Sequence, residues 1–261
     1  MDRDAMDLTE AHYELVISVD ARRSGEYDDI DKPRMRARVY RVVETAFTHA
    51  KVARDAVHME DRGDGVLLSV SARVPVTRLL GLWMVELHEN LRDENRSLRV
   101  PLGLRIGMHV GPVRRDARGI SGRAVDLACR LADSAMARQL LDAEGADLVL
   151  VVSGSLYEDV VRGGGKFIEP ERYVSGRPVL KEGETTAWFH LPGRPAPASP
   201  VVPASPVAAA PPTADAPRAQ APADLPADDS RTSFSAQGDI SVHHDNTYQR
   251  SVHIGRKGGG A

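Results

Sequence analysis

YELVISVD, residues 13–20, is a short run of apolar residues that ends at an acidic residue, Asp20. A run of this kind predicts a buried β-strand with a carboxylate at its end. Farther along, AVHMEDRGDGVLLSV, residues 56–70, places two short apolar segments around a turn that contains Asp64. This pattern predicts a β-hairpin. Because a strand end and the turn of a neighbouring hairpin can meet in one sheet, Asp20 and Asp64 are candidates for a shared site.

Two interpretations of these aspartates are open at this point. Two carboxylates that lie close together repel each other unless a cation sits between them. Oxygen ligands suit Mg²⁺ or Mn²⁺, which also bind substrate phosphates. In the alternative, Asp20 caps a helix and Asp64 is an ordinary turn residue.

The remainder of residues 1–192 alternates between predicted helices and predicted strands. Apolar residues three and four positions apart predict helices at residues 32–51, 75–95 and 122–144, with a further helix at 154–162. Strands are predicted at residues 100–113, 147–153 and 186–191. Elements in this order predict an α/β (α+β) fold in which helices pack on one mixed sheet.

Composition and charge exclude several classes of function. The chain of 261 residues carries a net charge of −3, which does not favour nucleic-acid binding. Cys129 is the only cysteine, so neither an intrachain disulfide nor a cysteine-based metal cluster can form. The N-terminus shows no signal-peptide pattern, and no window reaches the about 18 to 20 apolar residues of a membrane span. We therefore expect a cytoplasmic protein with no nucleic-acid partner and no membrane partner.

The composition changes abruptly after residue 192, which predicts three regions. Residues 1–192 form the folded domain. Residues 193–235 are rich in alanine and proline and predict a disordered linker. Residues 236–261 regain the alternation of short strands, and such a segment can add to the sheet edge of a partner protein. The alternative is a terminus without function.

Five segments of the domain resemble, in the right order, the class III adenylate and guanylate cyclases. Each segment alone is a weak signal, and the resemblance rests on all five over roughly residues 13–192. The segments are VISVD (16–20), HMEDRGDGVLLS (58–69), LRIGMHVGPV (104–113), GISGRAVDLACRLADSA (119–135) and VLKEGETTAWFHL (179–191). The resemblance implies a ferredoxin-like βαββαβ cyclase palm. It also implies conversion of a nucleoside triphosphate to a 3′,5′-cyclic nucleotide and pyrophosphate.

The resemblance assigns roles to four charged residues. Asp20 and Asp64 match the carboxylates that hold a pair of Mg²⁺ or Mn²⁺ ions at the triphosphate. Arg130 matches the arginine that stabilises charge on the α-phosphate, a role that suits its planar, permanently charged fork. Lys181 matches the lysine that contacts the terminal phosphates.

The positions that match base and ribose contacts depart from the family pattern. Glu60 stands at the base-reading position, where guanylate cyclases carry glutamate, and it favours GTP; in the alternative it is an exposed strand residue. The second base-reading position is Gly119, which has no side chain. Asp126 replaces the asparagine that orients the ribose, and its charge opposes a triphosphate. The segment ARRSGEY (21–27) lacks the usual Gly-Phe-Thr, although Arg22 and Arg23 could approach phosphates.

These features favour two hypotheses for function. In the first, the chain is a divergent cyclase that acts as a head-to-tail homodimer, an assembly implied by the resemblance. In the second, it is a catalytically silent cyclase-homology module that binds a nucleotide or serves as a signalling scaffold through its tail. A diguanylate-cyclase palm is disfavoured because the chain lacks a Gly-Gly-Asp/Glu-Glu-Phe type of turn.

Overall fold

The structure is a computed structural model that describes residues 10–181 and 183–197. Apolar side chains on both faces of the central strands bury one mixed sheet between layers of helices. The strands are β1 His12–Ala21, β2 Val57–Asp61, β3 Gly65–Val70, β4 Leu104–Asp116, β5 Gly119–Ser121, β6 Leu148–Ser153, β7 Val174–Gly176, β8 Val179–Leu180, β9 Gly183–Glu184 and β10 Ala187–His190.

Five helices accompany these strands in the described part of the chain. Helix α2 is continuous through an α-helical turn, a π-helical turn and a longer α-helical stretch. The helices are α1 Asp31–His49, α2 Val76–Arg78 with Leu79–Trp83 and Met84–Asn95, α3 Arg123–Ala132, α4 Ala135–Ala143 and α5 Gly154–Asp159. Short 3₁₀ turns lie at Ser24–Glu26, Arg54–Ala56, Val161–Gly163 and Pro170–Arg172.

The order of the main sheet is β2-β3-β1-β4-β6-β10-β7, and β5 pairs with β4. All neighbours are antiparallel except β4 and β6, which are parallel. The first four strands with α1 and α2 form the ferredoxin-like βαββαβ arrangement, so that prediction is confirmed. A separate two-stranded hairpin, β8 with β9, follows β7.

Strand β1 shows how the two faces of the sheet differ. Its odd-numbered side chains, including Ile17 and Val19, pack into the large core beneath α1 and α2. Its even-numbered side chain Val16 packs with Ala124 and Ala128 of α3 on the opposite face. Because side chains alternate along a strand, Asp20 lies on the α3 face.

The structure corrects the predicted helix at residues 122–144, which is two helices. The chain turns at Asp133 and Ser134, where the Ser134 hydroxyl accepts a hydrogen bond from the Ala137 amide at 3.3 Å and caps α4. The predicted helix at 154–162 ends at Asp159 and continues as a 3₁₀ turn. The predicted hairpin at 56–70 is confirmed as β2 and β3.

The region after residue 192 is described only in its first five residues. Arg194 donates hydrogen bonds to the carbonyls of Glu144 and Gly145 after the end of α4, at 2.5 and 2.7 Å. The remaining linker and tail predictions, residues 198–261, lie outside the described residues. None of the helices within residues 10–181 and 183–197 combines the length and the apolar character needed to cross a bilayer.

Candidate functional site

Asp20 and Asp64 meet at the end of β1, in a cleft that we call the β1 cleft. Asp20 stands opposite Gly65 in the β1–β3 register, and the Ala21 amide donates to the Asp64 carbonyl at 3.1 Å. A side chain at position 65 would overlap the Val19 carbonyl and approach Asp20. The β1 cleft has a volume of about 420 Å³ and is lined by Asp20, Ala21, Arg22, Arg23, Ser24, Gly25, Asp64, Arg105, Asp133, Arg138, Leu141 and Asp142.

Arg105 is the main electrostatic partner of Asp20. Its guanidinium lies 3.3 Å from the Asp20 carboxylate and 3.7 Å from that of Asp133, and its Nε donates to the Ala132 carbonyl at 3.0 Å. Burial raises the pKa of Asp20, Arg105 opposes this rise, and the nearby Asp64 adds to it. Asp64 therefore lies close enough to Asp20 for the two negative charges to disfavour each other.

The segment after β1 holds Asp64 through a serine. The Ser24 hydroxyl donates to Asp64 Oδ2 at 2.6 Å. Arg22 and Arg23 approach Asp142 of α4 at 3.8 and 3.5 Å. The segment that lacks Gly-Phe-Thr therefore places two guanidinium groups and one hydroxyl beside the paired carboxylates.

The carboxylates of the β1 cleft fit a divalent metal ion whose remaining ligands come from a bound phosphate. Among residues 10–181 and 183–197, no group of three or more His, Cys, Asp or Glu side chains could hold a metal by itself. Mg²⁺ binds through one or two carboxylates when substrate phosphates complete its shell. Asp20 and Asp64 would supply those carboxylate oxygens together with a bound phosphate.

Glu60 lies on the same face of the sheet, in a group that we call the Glu60 cluster. Its Oε1 accepts hydrogen bonds from the Ile120 amide at 2.6 Å and faces His58 Nε2 at 2.8 Å. Its Oε2 accepts from the Arg62 guanidinium at 2.9 Å. Gly119 has a φ of 132°, and a Cβ there would overlap the Glu60 carboxylate. The structure thus brings together the two positions predicted to read the base.

Asp126 and Arg130 occupy a second cleft, which we call the α3 cleft. It has a volume of about 310 Å³ and is lined by Arg123, Asp126, Leu127, Arg130, Leu180, Gly183, Glu184 and Thr185. Lys181 is exposed in the turn between β8 and β9, beside two of these residues but not among them. Within one chain, Arg130 and the Asp20–Asp64 pair therefore line different clefts.

Sequence reasoning missed four residues of these sites. Arg105, Ser24, His58 and Arg62 each bond to a predicted site carboxylate, yet the resemblance assigns a role to none of them. The signal that could have identified Arg105 is the β1–β4 register, which sets it opposite Asp20. For His58 and Arg62 the signal is their position two residues before and two residues after Glu60. Side chains two apart along a strand lie on the same face of the sheet.

Comparison with known proteins supports the fold and gives no match in sequence. No protein-family model and no curated protein matches the chain. An adenylate/guanylate cyclase/hydrolase from Silicibacter pomeroyi superposes with a TM-score of 0.51 at 17% identity, covering 71% of this chain and 100% of that chain. The guanylyl cyclase Cya2 superposes with a TM-score of 0.50 at 16% identity, covering 72% and 98%. The described domain therefore has the fold of the class III nucleotidyl cyclase domains.

Proposed function

We propose that the chain is a divergent class III nucleotidyl cyclase that converts a nucleoside triphosphate, with GTP favoured, to a 3′,5′-cyclic nucleotide and pyrophosphate. The observation that carries this proposal is the convergence of Asp20 and Asp64 in the β1 cleft. Two repelling carboxylates on one wall, with arginines around them, suit a cation and a polyphosphate.

The residues of the β1 cleft would bind the metal and orient the triphosphate. A bound Mg²⁺ or Mn²⁺ pair would neutralise phosphate charge and favour ionisation of the ribose 3′-hydroxyl. Arg23 is the more exposed of the two arginines after β1, with 58% of its side chain accessible against 19% for Arg22. It is therefore the better placed of the two to meet a phosphate oxygen.

A head-to-tail homodimer supplies the rest of the site in this proposal. Arg130 and Asp126 line the α3 cleft, away from the residues that line the β1 cleft. In a head-to-tail dimer, the α3 cleft of one copy would face the β1 cleft of the other and complete one site. The two-fold symmetry would form a second site from the two remaining clefts. Arg130 would then stabilise charge on the α-phosphate of a nucleotide whose metal is held by the other copy.

The test is an assay of the full chain with each of the four ribonucleoside triphosphates and Mg²⁺ or Mn²⁺, with detection of cyclic product by mass spectrometry. We expect cyclic product from GTP, and we expect Asp64→Ala to abolish it. Asp159→Ala, at the exposed end of α5, is the matched control and should retain activity. A wild-type chain that binds GTP but yields no cyclic product would contradict the enzyme and favour the silent module.

A further inference from the structure

The Glu60 cluster carries an inference that rests on the proposed function and makes it more specific. We propose that Arg62 is the second base-reading residue of this chain, and that the Glu60–Arg62 pair selects 6-oxopurine nucleotides without reading the 2-amino group. Inosine and guanosine triphosphates would then be equivalent ligands, whereas adenosine triphosphate would be rejected.

The acceptor sites of the Glu60 carboxylate are largely occupied within the chain. An ionised carboxylate only accepts hydrogen bonds, and each of its oxygens has two lone pairs. Oε1 takes the Ile120 amide, and His58 must donate from Nε2 to the same oxygen. Oε2 takes one bond from Arg62, so it is the oxygen that retains a lone pair. Glu60 can therefore offer one acceptor to a ligand rather than two.

Oε1 is held by the backbone and is costly to release. The Ile120 amide belongs to β5, which pairs with β4, and Gly119 brings that strand against the carboxylate. Freeing Oε1 completely would leave the Ile120 amide without its acceptor, and a donor that loses its bond to a charged acceptor is unfavourable. A bidentate contact to guanine N1–H and N2–H would have to displace either this amide or the His58 ring from Oε1.

The Arg62 guanidinium has donors beyond the one that it gives to Glu60. A guanidinium has five N–H donors, and in the described part of the chain Arg62 gives one of them to Glu60. The Arg62 side chain is 49% exposed and that of Glu60 is 18% exposed. The pair therefore presents one acceptor, Oε2, beside several charged donors at the surface of the sheet.

This donor and acceptor order matches the edge of a 6-oxopurine. The N1–H group would donate to Glu60 Oε2, and the O6 carbonyl would accept from Arg62. Adenine held in the same orientation presents an acceptor at N1 and a donor at N6, so both contacts become repulsive. The exocyclic 2-amino group would meet no acceptor from Glu60, because Oε1 is already occupied.

The test is competition binding with the full-length protein, using a fluorescent GTP analogue displaced by GTP, ITP or ATP in the presence of Mg²⁺. We expect the Kd values of GTP and ITP to agree within about threefold and ATP to bind at least about tenfold more weakly, since adenine loses both charged hydrogen bonds that a 6-oxopurine makes. Arg62→Gln should reduce the preference for GTP over ATP to about threefold or less. Arg99→Gln, on the loop before β4, is the control and should leave the ratio unchanged.

Several results would overturn the inference. They are an ITP affinity about tenfold or more below that of GTP, an Arg62→Gln variant that keeps the wild-type ratio, and a wild-type chain that binds none of the three nucleotides. The test is independent of turnover, because it measures binding. Selective binding without cyclic product would contradict the proposed reaction alone, whereas cyclic product without the predicted selectivity would contradict the role of Arg62 alone.

Discussion

The β1 cleft and the Glu60 cluster lie on the same face of one sheet, yet different forces hold them. Backbone geometry places Asp20 and Asp64. The β1–β3 ladder ends where Asp20 pairs with Gly65, which brings Asp64, the residue before Gly65, next to Asp20. Glu60 is placed by side chains and by one amide from β5. The position of the paired carboxylates is thus set by the ladder, whereas the position of the Glu60 carboxylate depends on contacts that single substitutions can remove.

The largest expected effect is the loss of turnover in two single variants. Mixing these variants tests whether the β1 cleft of one copy and the α3 cleft of another form one site. Asp64→Ala and Arg130→Ala should each lower turnover by about a thousandfold, since each removes a group that stabilises phosphate charge. Mixing the two inactive variants in equal amounts should restore about a quarter of wild-type activity, because half of the dimers are mixed and each has one intact site. Cyclic product formation measures both effects.

A matched control strengthens this complementation experiment. Asp20→Asn mixed with Asp64→Ala should restore nothing, because both changes affect the same wall of the β1 cleft. If the first mixture also stays inactive while both variants form dimers, then Arg130 does not act across a dimer with Asp64.

A pair of glycine substitutions compares how the β1 cleft and the Glu60 cluster are held. Gly65→Ala would drive a Cβ into the Val19 carbonyl within the ladder, and we expect a loss of about 3 kcal/mol in the free energy of unfolding. Gly119→Ala would displace the Glu60 carboxylate and strain a positive φ, at a cost of about 1 to 2 kcal/mol. Urea denaturation measures both costs, and equal losses would contradict the distinction.

A pH series separates loss of fold from loss of either site. Burial lowers the pKa of His190 to about 4 from 6.5, and the ring stacks on Tyr173 at 4.8 Å. As the pH falls, His190 is protonated in the unfolded chain before it is protonated in the folded protein, so the unfolded state is favoured. The stability due to neutral His190 is therefore complete above about pH 6.5 and declines as the pH falls toward 4, by up to about 3 kcal/mol.

Urea midpoints at pH 7 and pH 5 measure this decline. His190→Gln should reduce it and leave the contributions of His88 and His109, whose pKa values burial also lowers. A wild-type midpoint that does not change between these values would contradict the assignment. Activity comparisons between the β1 cleft and the Glu60 cluster should accordingly be made above pH 6.5.

The smallest expected effect concerns Asp126 in the α3 cleft. Asp126→Asn removes a negative charge from the place expected to meet the ribose of a triphosphate, so the KM for that substrate should fall by about tenfold. Asp93→Asn on the exposed side of α2 is the control. A rise in KM after Asp126→Asn would indicate that the aspartate itself binds the nucleotide.

The sequence allowed prediction of the elements with a clear hydrophobic period. Strand β1, the β2–β3 hairpin and helices α1 and α2 begin and end within a few residues of their predicted bounds. Strands β5 and β7 were missed because their three residues show no period, whereas β8 and β9 lie in segment 179–191, which the resemblance to the family marks as a closing hairpin. The turn at Ser134 was missed although a serine before an apolar helix is a capping signal.

The candidate site also contains features that local sequence patterns predict and features that they do not. The proximity of Asp20 and Asp64 followed from a strand end and a hairpin turn, both of which are local patterns. The bond from Arg105 to Asp20 joins residues 85 positions apart, and only the β1–β4 register reveals it. The hydrogen bonds that occupy Glu60 depend on how β5 folds back, which no periodicity indicates.

The central position of β1 has a consequence for synthesis of the chain. Its partners are β3, about fifty residues later, and β4, whose Val113 pairs with His12 across 101 positions. A ribosome adding about 5 to 20 residues per second leaves one edge of this apolar strand unpaired for several seconds. We expect nascent chains that stop before residue 116 to aggregate or recruit chaperones, because an unpaired apolar strand edge is a template for association.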